Sequence, residues 1–484
     1  MEQEKVGKFI AACRKEKNLT QILTMMLQLG NNFTHSDASC IYLIEDSMLH
    51  YTMLHIQSKK LTLSNLVRSE IPLFPHHLTT SNVITQCINT KQIITINDVY
   101  HCKEYNTDVF QTFDRKLHYH TYNTLLLPLF TNQNEMLGVL QFMNCTDAKK
   151  GIIPYAKDIE MSSFYFATQA TMAISNNQYM QATKDLLYSF AEVMAAAIDE
   201  RTPYNANHSR NVSNYILDFV KYYNEQYKLG YVEEYFDEVR LEQLHLAALL
   251  HDIGKVAIPL DVMNKSTRLG KKLKDILSRF ELFRCYYKID FLEHKLRQEE
   301  YDALVTQLNQ IQEFILRINS ATYLNDTDYN TLQQYKHLAY CVKNRKKLPY
   351  LTPEEFECLS IRTGTLTAKE REIMESHVVI TERLLKRFKF QKQYANIPRW
   401  ANSHHEFLDG SGYPKHLTGK DMPLEIRILC IADIYDALTA TDRPYKSPMS
   451  QEKALSILYD MSEEGKLDRN LVLIFSDMLK DAQP

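Results

Sequence analysis

Apolar and polar positions follow two different rhythms along this chain, and the change falls near residue 156. Between residues 38 and 143, short β-branched or aromatic runs recur: ASCIYLIE (38–45), QIITIND (92–98), NTLLLPLF (123–130) and MLGVLQFMN (136–144). Turn-forming stretches such as TNQNE separate them, which is the pattern of strands in an α+β unit. From about residue 156 onward the pattern is that of long helices. Residues 164–200 contain neither Gly nor Pro and are rich in Ala, Met and Leu, which predicts one continuous helix. A helix of that length needs a partner. It fits equally a packed interdomain helix and a signalling helix that pairs across a dimer.

Further along, Leu304, Leu308, Ile311, Ile315 and Ile318 recur at alternating spacings of four and three, which lines one face of a helix. LTPEEF (351–356) predicts a helix start, with Thr352 as N-cap, Pro353 in the first turn and Glu355 closing a capping box. Thr367 and Glu370 repeat that device before His377.

Composition narrows the function classes. A length of 484 residues favours two or three domains. A net charge of -3, from 56 basic and 59 acidic residues, supplies no general attraction to a nucleic-acid duplex or an anionic membrane. Any phosphate recognition must therefore be local. The nine cysteines are scattered without a C-x-x-C pair, which fits buried thiols in a reducing compartment. With no signal-peptide pattern and no run of 18 apolar residues, the expected location is the cytoplasm.

Candidate chemistry is concentrated in the second half. His208 lies in TPYNANHSRNV, His251 and Asp252 in LHLAALLHDIGKVAIP, and His377 in TAKEREIMESHVVI. His404 and His405 open HHEFLDGSGYP, and Asp433 sits in ILCIADIYDALTATDRPYK. These segments read as helical, and two of them follow apolar runs that would carry them into a core. Imidazole suits first-row transition metals, and a carboxylate can bridge two of them and lower the pKa of a shared water. Lys255, four residues after His251 and three after Asp252, would share their helix face and could neutralise a phosphate oxygen. A single His-Asp pair decides nothing. The ordered set of seven, followed by DGSGYP, is what carries weight. His245, His294, His337 and His416 are assigned structural roles, as are His76, His77, His118, His120 and Cys102 in the first half.

Those same segments resemble the HD-GYP domain, the branch of the HD phosphohydrolase superfamily that hydrolyses cyclic dinucleotides, usually cyclic di-GMP. NHSRNV, HDIGKVAIP, GTLTAKEREIMESH, HHEFLDGSGYP and RILCIADIYDALTATDRPYK occur in the family's order. Residues 20–176 resemble a GAF domain, a fold that often binds cyclic nucleotides or other small molecules and often dimerises. The resemblance implies a multidomain chain. Its parts are a GAF-like α+β sensor (20–176), a linker helix (164–200) and an all-α HD-GYP domain (199–484) with a helical insertion at 265–363. From the match, His208, His251, Asp252 and Asp433 would hold one metal. His377, His404 and His405 would complete a second, with Asp252 bridging. Lys255, Arg443 and Lys446 would contact substrate, and Asp409, Gly412 and Tyr413 belong to the signature loop beside it. Tyr204 stands where trinuclear members carry an acidic ligand, so two metals are expected, iron or manganese by family precedent.

The implied activity is hydrolysis of a cyclic dinucleotide, most simply cyclic di-GMP to linear pGpG and onward to GMP, by a homodimer under GAF control. Two alternatives stay open: a catalytically silent cyclic-dinucleotide or protein-binding module, and an enzyme for another substrate such as mixed GMP-AMP. The insertion is expected to protrude as a helical hairpin beside the site, in a position to gate substrate, bind a partner or stiffen a dimer.

Overall fold

A computed structural model describes residues 18–45, 48–64, 76–77, 81–131, 133–201, 207–342, 346–440 and 448–481. The chain divides into two compact units, Met1–Leu186 and Leu187–Pro484. No helix among the described residues is long and apolar enough to cross a membrane.

The first unit opens with α1 (Leu19–Thr34), capped by the Asn18 side chain, followed by strands β1 (Ser36–Glu45), β2 (Met48–Ile56), β3 (Leu61–Ser64) and β4 (His76–His77). Helix α2 (Val83–Thr90), β5 (Ile94–Ile96), α3 (Asp108–Leu117), β6 (Thr124–Phe130), β7 (Met136–Asp147) and β8 (Gly151–Ile152) complete it, with α4 (Lys157–Asp199) leading out. The strands form one antiparallel sheet in the order β3-β2-β1-β7-β6-β5, to which β4 adds beside β2 and β8 beside β7. Side chains alternate between two cores. Cys40 and Tyr42 of β1, Leu126 of β6 and Val139 of β7 face one, together with α2 and α3. Ile41, Leu43, Leu125, Leu127, Leu140 and Phe142 face the other, with α1 and the first half of α4. Covering both faces is why these strands read as nearly continuous apolar runs. Strand β2 escaped notice in the sequence because His50 and His55 interrupt its run.

The second unit is helical: α5 (His208–Lys228), α6 (Glu238–Leu250), a 3-10 turn (Ile253–Ala257) and α7 (Leu260–Met263). The segment expected to be an insertion follows, with α8 (Lys272–Leu292), α9 (Gln298–Ser320), α10 (Asp326–Tyr335), β9 (Ala339–Val342), β10 (Lys346–Pro349) and α11 (Pro353–Leu359). Then come α12 (Ala368–Leu385), a 3-10 turn (Lys392–Tyr394), α13 (Ile397–Ala401), α14 (Leu424–Thr439), α15 (Gln451–Glu463) and α16 (Arg469–Asp481). One core joins α5, α6, α13, α14, α15 and α16 with the end of α4. A separate core belongs to the insertion and buries Leu308, Ile311, Ile315 and Ile318, the face predicted from their spacing. The capping boxes at Thr352 and Thr367 form as read from the sequence.

Several expectations change. The long helix starts at Lys157, seven residues before the predicted onset. The insertion is not a helical hairpin alone, since β9 and β10 pair as an antiparallel ribbon. Cys285 and Cys341 are exposed and Cys102 is half-buried, so the buried-thiol reading holds for Cys40, Cys87, Cys145, Cys358 and Cys430. Cys13 lies outside the described residues. His245 packs against the ring of Tyr188, and His120 lies between Tyr100 and Tyr122, as structural histidines do.

Candidate metal centre

Helix α6 is buried on nearly all sides from Leu244 to Leu250, because it runs through the middle of the second unit's core. Its end therefore delivers His251 and Asp252 into the interior, where they are 0% and 3% exposed. The chain then tightens into the 3-10 turn that carries Lys255, so His251 and Lys255 do not share one continuous helix as their spacing suggested. Gly254 is required at this point. A Cβ there would collide with the His377 carbonyl oxygen on α12. Thr381, one turn beyond His377, fastens the approach by donating to the His251 carbonyl (2.9 Å) and accepting from Gly254 N–H (2.9 Å). Arg201 donates to the carbonyls of Lys255, Val256 and Ile258 and so caps the end of the turn.

His208 begins α5, His377 lies within α12 and Asp433 within α14. His404 and His405 occupy a turn after α13 rather than a helix. The seven side chains meet around Asp252. Its Oδ2 lies 3.3 Å from His251 Nε2 and 3.6 Å from His208 Nε2, while its Oδ1 lies 3.3 Å from His377 Nε2 and 3.8 Å from His404 Nε2. Asp433 Oδ1 is 3.1 Å from His208 Nε2, and its Oδ2 is 3.7 Å from His405 Nδ1. Within each of two triads, His208-His251-Asp433 and His377-His404-His405, the donor atoms lie within 4.8 Å of one another.

Four of the five imidazoles are fixed through their Nδ1. His251 Nδ1 is bonded to the Ala248 carbonyl (2.6 Å), His377 Nδ1 to Met374 (2.7 Å) and His404 Nδ1 to Ala401 (2.7 Å). Each partner is a carbonyl three residues earlier. His208 Nδ1 is held instead by the Asp436 carboxylate at 2.7 Å. An Nδ1–H held in this way leaves Nε2 as the inward donor, the arrangement metal-binding histidines require.

Residues 18–174 match the GAF domain family, and residues 205–304 and 349–471 match two families described as HD domain. The chain joins a GAF domain to an HD domain. Among curated proteins, it is 38% identical over 97 residues to the 3'3'-cGAMP-specific phosphodiesterase 3 of Vibrio cholerae, covering 20% of each chain. It is 40% identical over 108 residues to the cyclic di-GMP phosphodiesterase response regulator RpfG of Xanthomonas campestris, covering 22% of this chain and 27% of that one. The chain thus spans between a fifth and just over a quarter of the length of these relatives. A solved GAF domain from an Acinetobacter phosphoenolpyruvate-protein phosphotransferase is 12% identical over 38% of this chain and 98% of its own, with a TM-score of 0.29.

The HD domain's donor set is electrostatically divided. Burial depresses His377 to about 4 and lowers His404 and His405 as well, so these three are neutral. Burial acts the same way on His208, but the Asp433 and Asp436 carboxylates outweigh it and raise that imidazole to about 10. His251 is raised in the same manner by Asp252. Burial pushes Asp252 and Asp433 up, yet the surrounding cations hold both well below the carboxylate range: Lys255 first for Asp252, His208 first for Asp433. Lys255 Nζ lies on Asp252 Oδ2. The other ligand-type side chains are at most 8% exposed, but His405 is 29% and Lys255 18%, so the pocket opens along that edge.

Tyr413 stands at the same edge, its ring 4.9 Å from that of His405 and its N–H bonded to the His405 carbonyl (3.1 Å). Gly412 allows this, because a Cβ there would press on the backbone of His405, Glu406 and Phe407. Gly410 has a φ of 79°, in the left-handed region that favours glycine. The exposed Asp409 carboxylate is engaged within its own turn by Ser411 N–H and Oγ. Arg443, Lys446 and Tyr204 lie outside the described residues.

Sequence reasoning missed four supporting residues: Asp436, Thr381, Arg201 and Glu406. Glu406 is fully buried and accepts from the N–H groups of Lys415 and Leu417, which clamps the chain leaving the DGSGYP loop. Asp436 and Thr381 were within reach of helix periodicity, lying three and four residues beyond Asp433 and His377 on the same helices.

Proposed function

We propose that the HD domain is a metal-dependent phosphodiesterase that opens a cyclic dinucleotide, cyclic di-GMP first, to the linear dinucleotide pGpG and by a second cleavage to GMP, under control of the GAF domain. The observation that carries this reading is Asp252, whose two oxygens face two separate groups of imidazoles. The donor set fits two divalent cations: His208, His251 and Asp433 for one, His377, His404 and His405 for the other, with Asp252 shared. Iron or manganese is what the family resemblance implies, since imidazole and carboxylate donors accommodate zinc or nickel as well, and the tyrosine at position 204 favours two cations over three. When bound, such a pair lowers the pKa of a water and draws charge from a phosphodiester.

The chain's own groups would do the rest. The Nδ1 anchors hold the imidazoles in place before substrate arrives. Lys255 sits at the accessible edge, where an ammonium can neutralise a phosphate oxygen once Asp252 is engaged elsewhere. Tyr413 offers a ring beside His405 against which a sugar or base can rest. Arg443 and Lys446 remain candidate phosphate contacts through their match to the family motif, with Asp409 and Gly412 shaping the loop.

The V. cholerae relative named for 3'3'-cGAMP gives a second reading, a mixed GMP-AMP substrate on the same centre. A silent receptor is disfavoured, because a module that only binds has no need of seven such donors packed with Lys255. The test is anaerobic purification of the full chain, metal analysis, and hydrolysis of cyclic di-GMP and 3'3'-cGAMP followed by chromatography of products. Turnover with two equivalents of metal supports the proposal, and the faster substrate chooses between readings. Tight binding of either dinucleotide without turnover by the metal-loaded chain would refute it in favour of the receptor.

A further inference from the structure

Two charged residues at the end of α4 reach the metal centre from outside its donor set. The last turns of this helix belong to the second unit, where Ala191, Ala195 and Ile198 are buried and fix the helix end in place. Asp199, its final residue, is buried with them. Asp199 Oδ2 accepts from the Ser209 N–H (3.3 Å), and its Oδ1 accepts from the Ser209 hydroxyl (3.2 Å). Ser209 directly follows His208 at the start of α5, and the N-cap residue Asn207 makes no side-chain capping bond there. A carboxylate from another helix thus does the capping, at a point where free N–H groups and the helix dipole favour negative charge.

Two residues on, Arg201 grips the opposite wall. Its guanidinium donates to the carbonyls of Lys255 (3.1 Å), Val256 and Ile258 (3.3 Å), which close the 3-10 turn that carries Lys255. A rigid planar fork spread over three acceptors fixes the direction of that turn, which a single ammonium would not.

We infer that Asp199 and Arg201 are positioning residues, which together hold His208 and Lys255 at a set separation across Asp252. The inference rests on the reading of the site as a metal-dependent phosphodiesterase. Both gripped segments supply groups to one carboxylate oxygen: His208 Nε2 lies 3.6 Å from Asp252 Oδ2, and Lys255 Nζ rests on the same atom. Ordinary capping, such as Asp237 provides for its own helix α6, ties down one element only. Here a single helix end ties down two. The grips also divide the labour, since Asp199 acts on the His208-His251-Asp433 group and Arg201 on the lysine. His377 and His404 are anchored separately, on the Met374 and Ala401 carbonyls.

Chelator competition on the full chain under anaerobic conditions reads the first grip. Asp199→Ala should weaken one metal equivalent about 10-fold and leave the other unchanged, while Asp199→Asn, which keeps an oxygen for the Ser209 N–H, should stay near wild type. Ser209→Ala, which removes one of the two bonds from the other side, should weaken the same equivalent by less. Calorimetric titration of inorganic phosphate into the metal-loaded chain reads the second grip. Arg201→Ala should bind phosphate about 10-fold more weakly with metal stoichiometry unchanged, and Arg201→Lys should fall between it and wild type. Lys255→Ala should lose as much, and adding Arg201→Ala to it should cost nothing further, because the arginine acts through the lysine. Glu200→Gln, exposed between the two residues, should match wild type in both titrations. Thermal melts check that each variant is folded at the temperature used.

Wild-type metal affinity in both Asp199→Ala and Ser209→Ala, or equal weakening of both equivalents, would overturn the first grip. Additive losses from Arg201→Ala and Lys255→Ala would overturn the second. A Lys255→Ala variant that binds phosphate as wild type does would remove the lysine from that role, and Arg201 as its positioner with it. Neither titration needs turnover, so a chain that hydrolyses no cyclic dinucleotide would end the phosphodiesterase reading while these outcomes still decide the inference.

Discussion

The Asp436 carboxylate gives the sharpest test of the centre, because it is the one anchor that carries charge. His251, His377 and His404 rest their Nδ1 on neutral carbonyls at 2.6–2.7 Å, while His208 rests on Asp436 at 2.7 Å, in a site where Asp436 is 2% exposed. Asp436→Asn keeps an oxygen that can accept from Nδ1–H, so it preserves ring orientation and removes only the charge. Asp436→Ala removes both. Loss of such a partner weakens metal binding about 10- to 100-fold, or roughly 1.4 to 2.7 kcal/mol. The asparagine variant is expected near the lower figure and the alanine variant at or beyond the upper. The loss should fall on one equivalent, since the His377-His404-His405 group does not touch Asp436. Competition with a chromophoric chelator under anaerobic conditions, with thermal melts as the control for folding, reads both affinity and stoichiometry. Wild-type affinity in the alanine variant, or equal weakening of both equivalents in the asparagine variant, would refute the reasoning.

Asp252→Ala should abolish metal content and hydrolysis together, and a variant that kept two metals and full rate would remove Asp252 from its bridging position. Gly254→Ala places a methyl group against the His377 carbonyl and should lower stability by about 1–3 kcal/mol, as overpacking does, with a matching drop in the denaturation midpoint; an unchanged midpoint would show that the two segments can separate freely. Desolvation raises the Glu370 carboxyl, but hydrogen bonds from Lys265 and Thr367 outweigh it and leave the group below its ordinary value of 4.5. Its contribution should therefore be full above that pH and fade as pH falls through the lowered value. The stability gap between wild type and Glu370→Gln, followed by chemical denaturation, should narrow on acidification, and a gap that widens would contradict the assignment.

The seven donors were legible because each stands in a distinctive segment, and the structure places them around a single carboxylate. Their anchors were not, since a bond from Nδ1 to the carbonyl three residues earlier leaves no trace in residue identity. His404 and His405 read as helical but lie in a turn, where the helical hydrogen-bond ladder has ended and the rings can face one pocket together. The strands of the sheet were legible wherever both faces are covered. Strand β2 was not, because polar residues interrupt its run.

The inserted segment raises a different question: how can about a hundred residues separate Lys255 from His377 without moving either? Thr365 Oγ1 donates to the Lys265 carbonyl at 2.9 Å, and Lys265 Nζ reaches Glu370 at 2.6 Å, so the chain leaves and returns at one point. Just inside, Arg268 ties the carbonyls of Ile318, Ala321 and Ile361 together, and Leu324 N–H bonds to Arg362. With the base closed and a separate core burying Phe280, Phe283 and Ile315, the insertion stabilises itself. Closure entropy rises slowly with length, about 0.6 kcal/mol per doubling, and an insertion with its own core offsets most of its own ordering. The registration of α12 against the 3-10 turn then depends on local contacts, chiefly Gly254 on the His377 carbonyl and Thr381 on His251. Those contacts involve no residue between Lys265 and Thr365, so the donor set is registered independently of the segment that joins them.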